Sequence, residues 1–316
     1  MELYIEKEFL DNFFVEDKGT IQERVKKVFE DYGSKKVFID IPIKDTTHLE
    51  QLKKDNEVFA SICSNDKLPF SVDSIKEHLF EKSDFAQTLV FVNEDKDWLE
   101  DAENRGALCF TWKNYISKVE SIVLNYHKEI DLIDKFVGWK DLDKIKNLPS
   151  NEVIIDDPYI LTDTHNQKIK DNLIPLLISI FNNKSSQINT TLLTKFNDSN
   201  KYQTSDKITS KAKSIHGKLN SHFADFKVSF KIISTDDSLG YGLKFHDRII
   251  LTNFLKLECG EGFNLVPTKK STSEIRIDSI FTKRTYDRMK KLKKVYNDYK
   301  NWIEKLESIH FKYYPE

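Results

Sequence analysis

Short apolar runs rich in β-branched residues alternate with helical periodicity through the first half of the chain. The runs 37–41 and 88–92 are short and mostly apolar and are followed by acidic or Pro-containing turns, and 107–111 is a third. Runs of this kind mark strands buried on both faces. Between them, 21–32 and 72–80 place apolar residues at helical spacing. Strands alternating with helices predict a parallel sheet with covering helices, hence a three-layer α/β domain. Ile116, Val119, Ile122, Val123 and Tyr126 extend a helical pattern through 112–133, and the polar stretch 138–150 follows. A new apolar strand opens at 153–155. The predicted seam lies there, giving domains 1–150 and 151–316.

In the second half the strand 153–155 runs into Asp156-Asp157-Pro158-Tyr159-Ile160, where Pro158 rules out a central-strand continuation. Helices are predicted over 169–181 and 210–223, and strands over 226–234 and 254–259. The Asn/Ser/Thr/Lys-rich stretch 196–210 reads as a loop. Over 283–309, Met289, Leu292, Val295, Tyr296, Tyr299, Trp302, Ile303 and Leu306 recur at helical spacing, and Lys290, Lys291, Lys293 and Lys294 gather on the first half. This long amphipathic helix either docks on the core with a solvated lysine face or also contacts nucleic acid or anionic lipid. Asn297, Asp298 and Glu304 interrupt the basic face, which argues against membrane insertion. The tail 310–314 is read as packing or touching a partner.

Composition narrows the class. Of 316 residues, 39% are hydrophobic and 32% charged, a balance that buries a core and excludes wholesale disorder. Nine Gly and seven Pro exclude collagen-like and Pro-rich architectures. No run approaches the ~20 apolar residues of a membrane span. The N-terminus carries acids where a secretory signal has a basic region, and Cys63, Cys109 and Cys259 are scattered without CxxC spacing. These features predict a soluble cytoplasmic protein with neither a disulfide framework nor a thiolate zinc site. The net charge of −2 divides unevenly: residues 1–150 carry 22 Lys+Arg against 31 Asp+Glu, and 151–316 carry 27 against 20. A basic second half is predicted to face an anionic partner or the acidic first half itself.

Open parallel sheets bind ligands beyond the carboxyl ends of their strands. Asp40 follows the first predicted strand there, and Glu94, Asp95 and Asp97 follow the second. Such carboxylates can hold Mg²⁺ or Mn²⁺, a general plan that resembles PIN-like nucleases. The same residues are also ordinary turn and helix-cap acids.

Three motifs stand in order in the second half: Ile154-Ile155-Asp156-Asp157-Pro158-Tyr159-Ile160, then Phe245-His246-Asp247-Arg248-Ile249, then Gly260-Glu261-Gly262-Phe263. Together they resemble the C-terminal phospholipase D-like domain of MIT-domain proteins, over about residues 150–300. The resemblance implies a C-terminal phospholipase D-like α/β domain without a cofactor; the first half does not resemble the MIT domain. The wider superfamily uses H-x-K-x4-[D/N], with His as nucleophile toward phosphorus and Lys neutralising the phosphoryl oxygens. Here His246 is the candidate nucleophile, Arg248 stands at the Lys position, and Asn253, preceded by Thr252, ends the motif. Arg stays charged and grips phosphate through paired hydrogen bonds, so phosphate binding can persist without turnover. Asp247, Asp156, Asp157, Tyr159, Gly260 and Gly262 are supporting residues, and a purely structural His–Arg–Asp network is the competing reading. A homodimer would pair two His246 residues into a two-His site. His216-Gly217-Lys218 is a further H-x-K, but it falls in a helical run and Phe223 takes the final motif position, so it is read as coincidence. The expected function is nucleic-acid binding, with phosphodiester cleavage a candidate activity of either half. The Lys/Asn/Ile-rich composition associates it with bacterial anti-phage defence. The alternative is a non-enzymatic adaptor for anionic phospholipid or a protein.

Overall fold

The structure is a computed structural model, and it describes residues 1–16, 19–32, 36–63, 68–82, 85, 87–131, 138–161, 169–181, 187–196, 204–223, 227–235, 248–263, 274–306 and 311–314. The fold is α/β with two separate sheets. It divides into two compact units, one of residues 1–125 and 279–287, the other of 126–278 and 288–316.

The first unit is built from β1 (Glu2–Ile5), α1 (Lys7–Val15), α2 (Thr20–Glu30), β2 (Lys36–Ile39), α3 (Thr46–Asp55), α4 (Glu57–Ile62), β3 (Phe70–Ser71), α5 (Ile75–Phe80), β4 (Thr88–Val92), α6 (Leu99–Asn104), β5 (Leu108–Thr111) and α7 (Tyr115–Tyr126). The strands form one sheet in the order β3-β2-β1-β4-β5, every pair parallel. Alternate residues face opposite sides of a strand. Tyr4, Phe38, Val90 and Cys109 therefore meet Ile75 and Leu79 of α5 and Leu99 and Ala102 of α6 in one buried cluster. Phe91, from the opposite face, packs on Phe9 of α1 at 5.3 Å and Phe29 of α2 at 4.9 Å. Helices on both faces make the three expected layers. Asp45, Asn56 and Ser74 cap α3, α4 and α5 by accepting backbone N–H groups.

The second unit contains β6 (Lys128–Asp131), a 3₁₀ helix (Trp139–Asn147), β7 (Glu152–Asp156), a π-helical turn (Ile169–Leu173) leading into α8 (Ile174–Ile180), β8 (Gln187–Thr194), α9 (Ser205–His222), β9 (Lys227–Ser234), β10 (Ile249–Leu251), β11 (Leu255–Cys259), β12 (Glu274–Ser279), the part of α10 (Lys283–Lys305) from Arg288 onward, and β13 (Phe311–Tyr314). The eight strands order as β13-β9-β8-β7-β10-β11-β12-β6. β7, β8 and β9 run parallel, and β10 lies antiparallel to β7 with Ile249 opposite Asp156 and Leu251 opposite Ile154. Within this unit α10 docks through Tyr296 Oη, donating to Asp156 Oδ2 at 2.8 Å, and Tyr299 Oη, donating to the Ser234 carbonyl at 2.5 Å.

Several boundaries differ from the sequence reading. The seam expected at 150 lies inside the second unit, because 128–131 is not helix but the edge strand β6, paired with β12. That pairing is non-local and leaves no periodicity in the segment itself. The polar stretch 138–150 holds a 3₁₀ helix that buries Trp139, Leu142 and Ile145, a spacing of three that matches its own turn. Helix α9 starts at Ser205, within the predicted loop, and the tail is strand β13 against β9. Counted over the two units, charge remains unequal: 19 Lys+Arg against 27 Asp+Glu in the first, and 30 against 24 in the second. No helix among the described residues is long and apolar enough to cross a membrane.

Candidate functional site

Described residues of the three second-half motifs, Asp157, Arg248 and Gly262 among them, meet at the carboxyl end of β7. Asp157 follows the strand directly and is buried. Its Oδ1 accepts the Tyr159 N–H at 2.9 Å, and its Oδ2 accepts the Phe263 N–H at 2.7 Å, so the carboxylate ties the turn after β7 to the loop after β11. Arg248, at the start of β10, arrives from the antiparallel side. Its Nη1 donates to the Gly260 carbonyl at 2.8 Å, and its guanidinium lies 5.7 Å from the centre of the Tyr159 ring. The Arg248 Nε is buried and finds no partner among the described residues. Tyr159 is 47% exposed, which opens this end of the sheet to solvent. Gly262 has φ +88°, and a Cβ there would lie 2.7 Å from Asp157 Oδ2 and 3.3 Å from Arg248 Cδ. Only glycine fits between the acid and the base.

A further buried side chain, with no part in the sequence reading, holds the loop. Asn172, in the π-helical turn, donates from Nδ2 to the Phe263 carbonyl at 2.5 Å, while its Oδ1 accepts from Trp139 Nε1 at 3.0 Å. Both backbone groups of Phe263 are thus fixed. The available signal was an Asn embedded in the apolar run 169–181.

Burial pushes the Asp157 carboxyl above its ordinary 3.8; the two N–H groups and the nearby Arg248 guanidinium oppose this only in part. The folded protein therefore holds this proton to higher pH than the unfolded chain does. The contribution of this group to stability is greatest in acid and declines as pH rises from 3.8 through the folded value. Asp157→Asn is expected to remove that decline, measured by urea unfolding across the mildly acidic range. Identical profiles for the two proteins would reject it.

Asn253 and Thr252 do not join Arg248. They lie at the other end of β10, about 13–17 Å of extended chain away. The buried Asn253 Oδ1 accepts the N–H groups of Asn151 (3.3 Å) and Glu152 (3.1 Å), and its Nδ2 donates to Asn151 Oδ1 at 2.9 Å. Thr252 Oγ1 accepts the Leu255 N–H at 3.1 Å and closes the β10–β11 turn. Both are scaffold for the start of β7 and for the hairpin. Asn253→Ala should destabilise the protein by about 2–3 kcal/mol in denaturant titration while phosphate affinity stays unchanged. Asp156 likewise serves α10 through Tyr296. His246 and Asp247 lie outside the described residues. His216 sits in α9 with Nε2 2.8 Å from the Val228 carbonyl, a structural contact.

The first-half acids do not converge. Asp40 Oδ1 accepts the Lys7 N–H at 2.6 Å and so caps α1. Glu94, Asp95 and Asp97 are exposed, and Asp97 lies 3.7 Å from Lys76. Among the described residues no group of three or more His, Cys, Asp or Glu is arranged to hold a metal ion. These four carboxylates therefore form no such group.

On α10, Met289, Leu292, Tyr296, Tyr299 and Ile303 are buried, while Arg288, Lys290, Lys291 and Lys294 are exposed. Lys293, expected among the outward lysines, instead turns inward and pairs with Glu152 at 2.6 Å. No protein-family model and no curated protein matches the chain.

Proposed function

We propose that this protein binds nucleic acid through the cationic face of α10 in its second unit. The observation that carries this reading is the row Arg288, Lys290, Lys291 and Lys294, exposed on a helix whose opposite side is buried, with no acid between Arg288 and Asn297. From Arg288 to Lys294 the helix rises about 9 Å, the axial length over which one strand of a duplex places two to three phosphates. The apolar side of α10 is spent on its own sheet and leaves nothing to insert into a bilayer, which favours nucleic acid over anionic lipid. Arg248, a planar guanidinium flanked by an exposed aromatic ring, supplies a second phosphate grip without turnover.

Mobility-shift titration with single- and double-stranded DNA and RNA at rising salt tests the reading. Binding that weakens linearly in log affinity against log salt is expected. Absence of binding at low salt would end it, and binding only to phosphatidylserine vesicles would transfer the protein to the adaptor alternative.

A further inference from the structure

In the first unit an aromatic column crosses the sheet and ends in solvent. Register places Tyr4 of β1 beside Phe38 of β2, and Phe38 beside Phe70 of the edge strand β3. The rings stack: Tyr4 to Phe38 at 4.7 Å and 17°, and Phe38 to Phe70 at 5.2 Å and 25°. Tyr4 and Phe38 are buried, whereas Phe70 is 53% exposed. One side of the Phe70 ring is thus covered by Phe38, and the remainder meets water. The Tyr4 hydroxyl, buried behind the column, has no hydrogen-bond partner among the described residues.

The surroundings narrow what can cover that ring. Strand addition is disfavoured, because β3 has two residues and Pro69, which has no N–H, precedes it. Among the described residues of this edge, the exposed large apolar side chains are Phe70 and Leu68, less than a protein partner needs. One exposed cation on the face of the column suits an anion-bearing occupant. Lys82 Nζ lies 4.7 Å from the Phe38 ring centre and 5.0 Å from that of Tyr4, and pairs with Glu2. Lys36, on the same face as Phe38, lies 3.9 Å from the same Glu2 carboxylate and is largely exposed. Two ammonium groups share the Glu2 carboxylate and the Glu81 carboxylate also acts on Tyr4, so of the two cations Lys36 is the one that chiefly faces solvent.

We infer that Phe70 is a stacking platform for an unpaired nucleobase, with Lys36 as the cation for the adjoining phosphate. A planar base continues the near-parallel column, and every base has a π face, so the site is indifferent to sequence. This inference rests on the nucleic-acid reading of α10 and adds a preference for single strands.

The test compares fluorescence anisotropy of an oligothymidylate and an abasic oligomer of equal length on wild type, Phe70→Ala and Phe70→Leu. Both variants are expected to bind oligothymidylate about tenfold more weakly and the abasic oligomer unchanged. The leucine variant keeps apolar bulk at the sheet edge, so its loss reports the ring rather than the fold. Wild-type discrimination retained in both variants would overturn the platform alone, provided that neutralising α10 abolishes binding. A wild type that binds neither oligomer overturns the nucleic-acid reading and the platform with it.

Discussion

Gly262→Ala is expected to destabilise the protein by about 3–4 kcal/mol, the largest stability effect of any single change at this site. Two separate costs add. At φ +88° an L-residue is strained by roughly 1–2 kcal/mol. The new methyl would also lie 2.7 Å from Asp157 Oδ2, in the path of the bond from the Phe263 N–H. The carboxylate must move and give up a charge-assisted hydrogen bond of about 1.5–3 kcal/mol. Phe263 cannot follow it, because Asn172 holds its carbonyl. Thermal melts should show a midpoint roughly 10 °C lower. The two causes separate in a double-mutant cycle with Asp157→Ala, in which Gly262→Ala should cost only its backbone strain. Equal costs in both backgrounds would show that the steric contact with the acid contributes nothing.

Replacing Arg288, Lys290, Lys291 and Lys294 together by Gln should lower nucleic-acid affinity by on the order of a hundredfold near 0.1 M salt, and flatten the log–log salt slope by about 3–4 on duplex. All four side chains are exposed, so stability should shift by roughly 0.5 kcal/mol or less per position. Lys293→Gln is the internal control. That side chain faces Glu152, whose carboxyl is raised by burial but brought below its ordinary value by Lys293 and Lys300. Its loss should leave the salt slope intact. An unchanged slope in the fourfold variant, or an equal loss from Lys293→Gln, would remove α10 as the binding surface.

Much of the fold could be read before any coordinate. The apolar runs 88–92 and 107–111 are β4 and β5, and 37–41 contains most of β2, because strands buried on both sides need continuous apolar sequence. The period of α10 and the outward lysines, Lys293 excepted, were equally legible. Central strand β1 is not legible: Leu3, Tyr4 and Ile5 between two acids resemble any short amphipathic stretch, and their identity as a strand comes from pairing with β2 and β4 on either side. Strands β6 and β13 are edge strands whose partners lie far along the chain.

At the candidate site, sequence alone determined that the aspartates at the end of β7, the Arg248 segment and the Gly-x-Gly loop stand in a fixed order, with glycine where an open backbone is needed. Tertiary structure alone decided which of these residues meet. Asp157, Arg248 and Gly262 converge because β10 runs antiparallel to β7, and for the same reason Asn253, five residues from Arg248 in sequence, is carried to the opposite end of the strand. Spacing along a chain specifies a local turn or face; which ends of two strands coincide depends on their relative direction, and that is set by long-range pairing.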